Sequence, residues 1–173
     1  MKRKEIVLQR REIAERVESL GRQLTEEYAG KKPVVIGILN GAFIFLADLV
    51  RAVDLPVEVD FIRVASYGQD RESSGSITLT KEPELDLDGK DILLVEDIVD
   101  SGTTMAWLQE YFTEKHHPNS VKVCTLIDKN ERRTVEVQID YVGFHIEKGF
   151  LVGYGLDCAQ SYRNLPQICS LEA

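Results

Sequence analysis

Cysteine is scarce and unpaired in this sequence. Cys124, Cys158 and Cys169 are the only three, an odd number with no C-x-x-C spacing. A disulfide framework is therefore a poor organising principle, and reduced thiols in a cytoplasmic compartment are expected. Long apolar runs are also missing. No segment approaches the roughly 20 residues that a membrane helix needs. Ile6-Val7-Leu8, following Met1-Lys2-Arg3-Lys4, is too short for the apolar part of a signal peptide. Positive charge is in deficit, with 21 Lys and Arg against 29 Asp and Glu for a net charge of −8. Partners requiring a broad basic face, nucleic acid above all, are disfavoured, and no membrane association is expected. A local basic pocket for an anionic small molecule remains open. Histidine offers no chelate, because the adjacent His116 and His117 point apart on a helix and His145 sits in an apolar strand pattern. Trp107 reads as helix packing. There is no internal repeat and no low-complexity tract.

What is present is the composition of a single globular domain, 173 residues long and 43% hydrophobic. Ile13, Val17, Leu20, Leu24 and Tyr28 recur at helical spacing within residues 9–28, and Gly30 stops the pattern. Residues 34–39 are apolar without interruption, as expected of a strand covered on both faces. Helical spacing returns over 42–53, and 56–66 reads as a strand. The polar stretch 67–76 cannot bury itself and reads as a mobile lid or connector. A short strand at 77–80, a turn at Asp88-Gly89 and a central strand at 91–96 follow. A helix then runs to about Lys115, with strands at 121–127, 141–146 and 150–154 and an irregular end. Strands alternating with helices predict an α/β domain with a mostly parallel central sheet flanked by helices. In such sheets ligands sit beyond the carboxyl ends of the strands.

Residues 91–104 are the richest in chemistry. The apolar run Ile92 to Val95 ends at two adjacent acids, Glu96 and Asp97, with a third at Asp100. Ser101-Gly102-Thr103-Thr104 then opens a helix with amides and hydroxyls that suit an anion. Taken alone, Ser-Gly-Thr-Thr is an ordinary helix cap. Behind a strand and two acids it is better explained as half of a site that holds a phosphate and a diol together, with Mg²⁺ reconciling the charges.

This stretch closely resembles the phosphoribosyl pyrophosphate (PRPP) signature of the type I phosphoribosyltransferases. The Glu-Asp-Ile-Val-Asp form is similar to that of the hypoxanthine-guanine branch. Leu39-Asn40-Gly41-Ala42 resembles the family's first loop, Ser66-Tyr67-Gly68 its flexible second loop, and Lys129 with residues 150–157 and Arg163 its purine and metal end. The resemblance spans nearly the whole chain in the right order. It departs at Asn40, where the family usually carries Lys. In relatives this loop contacts pyrophosphate largely through main-chain amides and contains a non-proline cis peptide.

The resemblance implies a role for each position. Asp100, Ser101, Gly102, Thr103 and Thr104 would hold the 5′-phosphate, and Glu96 and Asp97 the ribose hydroxyls and Mg²⁺. Asp100 would also be the catalytic proton acceptor. Lys129, Phe150, Leu151 and Asp157 would line the purine site, Asp157 binding a second Mg²⁺. Leu39, Asn40, Gly41 and Arg163 would face pyrophosphate, and Ser66, Tyr67 and Gly68 would form the lid. Read singly, Lys129 would be a solvated cation, Phe150 a core residue, and Asp157 and Arg163 surface charges. The implied reaction joins PRPP to hypoxanthine or guanine, giving IMP or GMP and pyrophosphate. A core over about 31–140, a hood from 1–30 and 141–173, and a homo-oligomer are also expected. A two-component receiver shares the paired acids, but they lie mid-chain here and Asp128 is poorly spaced as an acceptor. A P-loop would need a Lys before Thr103-Thr104. An RNA-binding regulator on the same fold conflicts with the net charge.

Overall fold

The computed structural model describes residues 4–67 and 76–171. Among these, the elements run β1 (Lys4–Leu8), α1 (Arg10–Glu27), β2 (Val34–Leu39), α2 (Phe43–Ala52), β3 (Glu58–Tyr67) and β4 (Ser76–Lys81). They continue with β5 (Asp91–Val99), α3 (Thr103–His116), β6 (Ser120–Lys129), β7 (Tyr141–Ile146), β8 (Phe150–Val152) and β9 (Ile168–Leu171). No helix among the described residues is long and apolar enough to cross a membrane.

The uninterrupted apolar strands are sandwiched between helices. Val35, Leu93, Val95, Cys124 and Leu126 join a cluster with Ile13, Val17 and Leu20 of α1 and Phe45, Leu46 and Leu49 of α2. Their neighbours along the same strands, Val34, Ile36, Ile92, Leu94 and Val123, pack with Met105, Leu108 and Phe112 of α3. Alternate residues of one strand thus feed opposite layers. Each such side chain contributes about 1.5–3 kcal/mol on burial, so the three layers are held mainly by these two clusters.

The six-stranded sheet has the order β4-β3-β2-β5-β6-β7. All neighbouring pairs are parallel except β3 with β4. From β2 the chain moves outward to β3, whereas from β5 it moves outward to β6 on the opposite side. The loops after β2 and β5 therefore part at their carboxyl ends, which is where such sheets open a crevice.

A second sheet, β1-β9-β8, is antiparallel and joins the two ends of the chain. The sequence pattern left residues 4–8 without a strand and the last residues irregular. These strands are set by a partner at the other end of the chain, as in the pairing of Lys4 with Leu171, so no local pattern marks them. The strand expected over 150–154 ends at Val152, because the backbone turns through positive φ at Gly153, Tyr154 and Gly155. Residues 141–146 were expected in the hood. As β7 they pair instead with β6 in the main sheet. Arg16 of α1 donates to the carbonyls of Val142 and Gly143 on that edge, at 2.5 and 2.8 Å.

Candidate active site

β5 runs three residues beyond its expected end, and Ile98 and Val99 pair with Ile127 and Asp128 of β6. Glu96 and Asp97 therefore lie within a rigid strand, and the chain leaves the sheet only at Asp100. Gly102 at φ +86 turns it into α3, and a Cβ there would collide with the Val135 carbonyl. Thr103 N donates to Ser101 Oγ at 3.3 Å, and Ser101 Oγ donates to Thr103 Oγ1 at the same distance. The first amides of a 14-residue helix stand behind this turn. Together they form a cradle for an anion.

Asp97 is buried and Glu96 partly so. Asp97 N donates to Glu96 Oε1 at 3.0 Å, and Ile98 N donates to Asp97 Oδ1 at 2.8 Å. Burial first, and then the negative charge of Asp97, push the Glu96 carboxyl well above the usual range. Burial also raises Asp97, with Arg163 among the groups pulling the other way. Two desolvated acids side by side are short of positive charge or hydroxyl donors. They fit a divalent cation together with a diol. Asp157 lines the same cavity, but Arg163 Nη2 is 3.0 Å from one of its oxygens and Gln160 N donates to the other at 2.8 Å. Among the described residues no three acids, histidines or cysteines form a closed metal cage. The donor set is that of a hard cation completed by water and phosphate oxygens.

A second cluster is built around Asp100 and Lys129. Lys129 is 3% exposed. Its Nζ lies 3.0 Å from Glu131 Oε2 and 3.7 Å from Asp100 Oδ2. Asp100 Oδ1 is buried with no hydrogen-bond partner among the described residues. Glu131 also accepts from Gly149 N at 3.3 Å, which brings the turn before Phe150 up to Lys129. Phe150 is 50% exposed while Leu151 behind it is buried. The buried lysine and the exposed phenylalanine each reverse the usual preference.

Leu39 and Gly41 reach the crevice from β2, and the Leu39–Asn40 peptide is cis. A Cβ on Gly41 would overlap the Asp97 carboxylate, so the first loop lies directly against the acid pair. The Asn40 side chain points to β3, where Arg63 Nη2 donates to its Oδ1 at 2.9 Å. Ser66 and Tyr67 continue β3 opposite Ile77 and Ser76. Gly68, the third expected lid residue, lies outside the described residues.

Two cavities share Glu96 and Thr104. One, of 270 Å³, is lined by Leu39, Gly41, Asp97, Asp157 and Arg163 as well, and the other, of 160 Å³, by Asp100, Ser101 and Gly102. Thr103, Asn40, Lys129, Phe150 and Leu151 line neither. A larger cavity of 590 Å³ opens between α1 and α2 and touches none of these loops. It lacks convergent acids and an anion cradle, and Asp48 in its wall is occupied by the Tyr154 hydroxyl at 2.5 Å.

Sequence patterns gave no hint of Arg133, which stands in the polar stretch from Lys129 to Thr134. Its Nε donates to Asp100 O at 2.8 Å, and its Nη2 to Val99 O at 3.2 Å and Asp128 Oδ1 at 2.5 Å. Thr134 N and Val135 N donate to Ser101 O at 3.0 and 3.1 Å. Residues 133–135 therefore brace the anion loop from behind.

A turn suited to an anion and a pair of acids lie together at the switch point of a mostly parallel α/β sheet. The Phosphoribosyl transferase domain family matches residues 4–159, and the chain belongs to that family. It is 45% identical to the hypoxanthine-guanine phosphoribosyltransferase of Aquifex aeolicus, covering 99% of this chain and 96% of that protein. It is 44% identical to the hypoxanthine phosphoribosyltransferase of Salmonella typhimurium, covering 95% and 93%. The fold superimposes with TM-score 0.93 on a hypoxanthine-guanine phosphoribosyltransferase from Bacillus anthracis, at 41% identity over 99% of this chain and 100% of that one.

Proposed function

We propose that the protein transfers the 5-phosphoribosyl group of PRPP to N9 of hypoxanthine or guanine, giving IMP or GMP and pyrophosphate, with Mg²⁺ as cofactor. The observation that carries this reading is Asp100, whose buried oxygen lacks a partner among the described residues between an anion cradle and a buried lysine.

In this reading the amides and hydroxyls of Ser101 to Thr104 bind the 5′-phosphate, and Glu96 and Asp97 accept from the ribose hydroxyls. Mg²⁺ held at Glu96 and Asp97, and a second ion at Asp157, would neutralise the pyrophosphate charge. Leu39, Asn40, Gly41 and Arg163 face the departing pyrophosphate. Phe150 stacks on the purine and the Leu151 carbonyl faces ring position 2. Lys129 donates to the 6-oxo group, a contact that adenine's amino group cannot accept well. Asp100 takes the proton that the base loses as its N-glycosidic bond forms. Ser66, Tyr67 and Gly68 close over the site and limit water at the reacting carbon. Free thiols at Cys124, Cys158 and Cys169 support a cytoplasmic setting, and the family resemblance supports a homo-oligomer.

The test follows ultraviolet absorbance as hypoxanthine, guanine, xanthine and adenine are each offered with PRPP. A 6-oxopurine should be consumed, and chelation of Mg²⁺ should stop the reaction. Preference for adenine would overturn the purine assignment. Lys129→Ala should lower kcat/KM for the preferred 6-oxopurine by about 10- to 100-fold, the worth of one charged hydrogen bond. It should affect adenine far less, which competition between the two bases would show.

A further inference from the structure

The first loop carries no charge of its own, because Asn40 is neutral between Leu39 and Gly41. Among the described residues, the 270 Å³ cavity that it borders is lined by three carboxylates, Glu96, Asp97 and Asp157, and by one cation, Arg163. That cation is already committed. Its guanidinium is 3.0 Å from Asp157 Oδ1, donates to Gly155 O at 2.6 Å and to Gln160 Oε1 at 3.3 Å. A polyanionic leaving group entering here would meet little unspent positive charge.

Arg63 is not part of that lining, but it stands beside the first loop that borders the cavity. It lies opposite Leu39 in the parallel β2–β3 register, and the next residue, Val64, lines the cavity. Its side chain is exposed. The hydrogen bond from Nη2 to Asn40 Oδ1, 2.9 Å, orients the guanidinium without neutralising it, because the acceptor is an amide. Arg63 enters no ion pair among the described residues, unlike Arg163 and Lys129. A planar guanidinium retains several donors after giving one away.

Resting on the phosphoribosyl-transfer reading, we propose that Arg63, positioned by Asn40, supplies from β3 the positive charge that the first loop lacks, and that it binds the pyrophosphate end of the substrate and product. Asn40 is then a positioning residue, and its side chain acts through Arg63.

Calorimetric titration of the full chain tests this with two probes, Mg-pyrophosphate and IMP. Arg63→Ala should weaken pyrophosphate binding on the order of ten-fold and leave IMP affinity within about two-fold of the original. Adding Asn40→Lys to Arg63→Ala should restore pyrophosphate affinity, since the cation then stands on the loop itself. Unchanged pyrophosphate affinity in Arg63→Ala would overturn the proposal. So would an equal loss for IMP, which marks a general structural role, or a failure of Asn40→Lys to restore binding. If the unaltered chain binds neither probe, the phosphoribosyl-transfer reading falls first and the proposal with it.

Discussion

Asp100→Asn should bind PRPP about as tightly as the unaltered protein yet turn over at least about a hundred-fold more slowly, the lower range for loss of a positioned acid–base group. The substitution keeps the shape of the side chain. The main-chain carbonyl of Asp100 still accepts from Arg133 Nε, so the anion cradle keeps its brace. What is lost is proton acceptance at the buried oxygen that has no partner among the described residues. The charge facing Lys129 across 3.7 Å also disappears, but Lys129 keeps Glu131 at 3.0 Å. A calorimetric PRPP affinity measured beside kcat separates the two functions. Loss of binding and turnover together would mean that Asp100 shapes the cradle and does not move the proton.

The largest loss of stability should come from Arg133→Ala. The side chains of Arg133 and Asp128 are 13% and 12% exposed and lie 2.5 Å apart. Removing the cation strands a largely buried carboxylate, which costs about 3–5 kcal/mol in comparable pairs. His145 Nδ1, 3.2 Å from the other Asp128 oxygen, would compensate only in part because it is on an exposed edge. The carbonyls of Val99 and Asp100 lose their donor as well. For a chain of 173 residues a loss of this size corresponds to a fall in Tm of about 10 °C. PRPP affinity should fall with it, because the same guanidinium holds the base of the anion loop. Arg133→Lys keeps the charge without the fork and should recover only part of the stability. A Tm within about 2 °C of the original, less than 1 kcal/mol by the same scaling, would contradict the assignment of Arg133 as the brace.

Much of the site was legible in residues 91–104, because strand, acids, glycine turn and helix start are consecutive there. Uninterrupted apolar runs and period-3.6 spacing likewise sufficed for the core strands and for the three helices of the described residues, whose apolar faces are written locally. Other features had no local signature. β1 and β9 depend on each other from opposite ends of the chain. The brace from Arg133 to Asp100 and the contact from Arg63 to Asn40 join side chains from different elements. Phe150 reads as core in a one-dimensional pattern, yet it is half-exposed just after the turn at Gly149 that Glu131 holds.

By itself, the order of residues determined the α/β class, the anion turn and the neighbouring acids, since each follows from short-range periodicity and backbone chemistry. Tertiary structure alone decided which charges are free. Three acids and Arg163 converge on one crevice at the switch point, where the connections leaving the paired strands β2 and β5 part. There Arg163 is bound to Asp157, while Arg63, beside the first loop, meets only an amide among the described residues. Charge pairing depends on distances between elements set by how layers pack, and a linear sequence does not carry those distances.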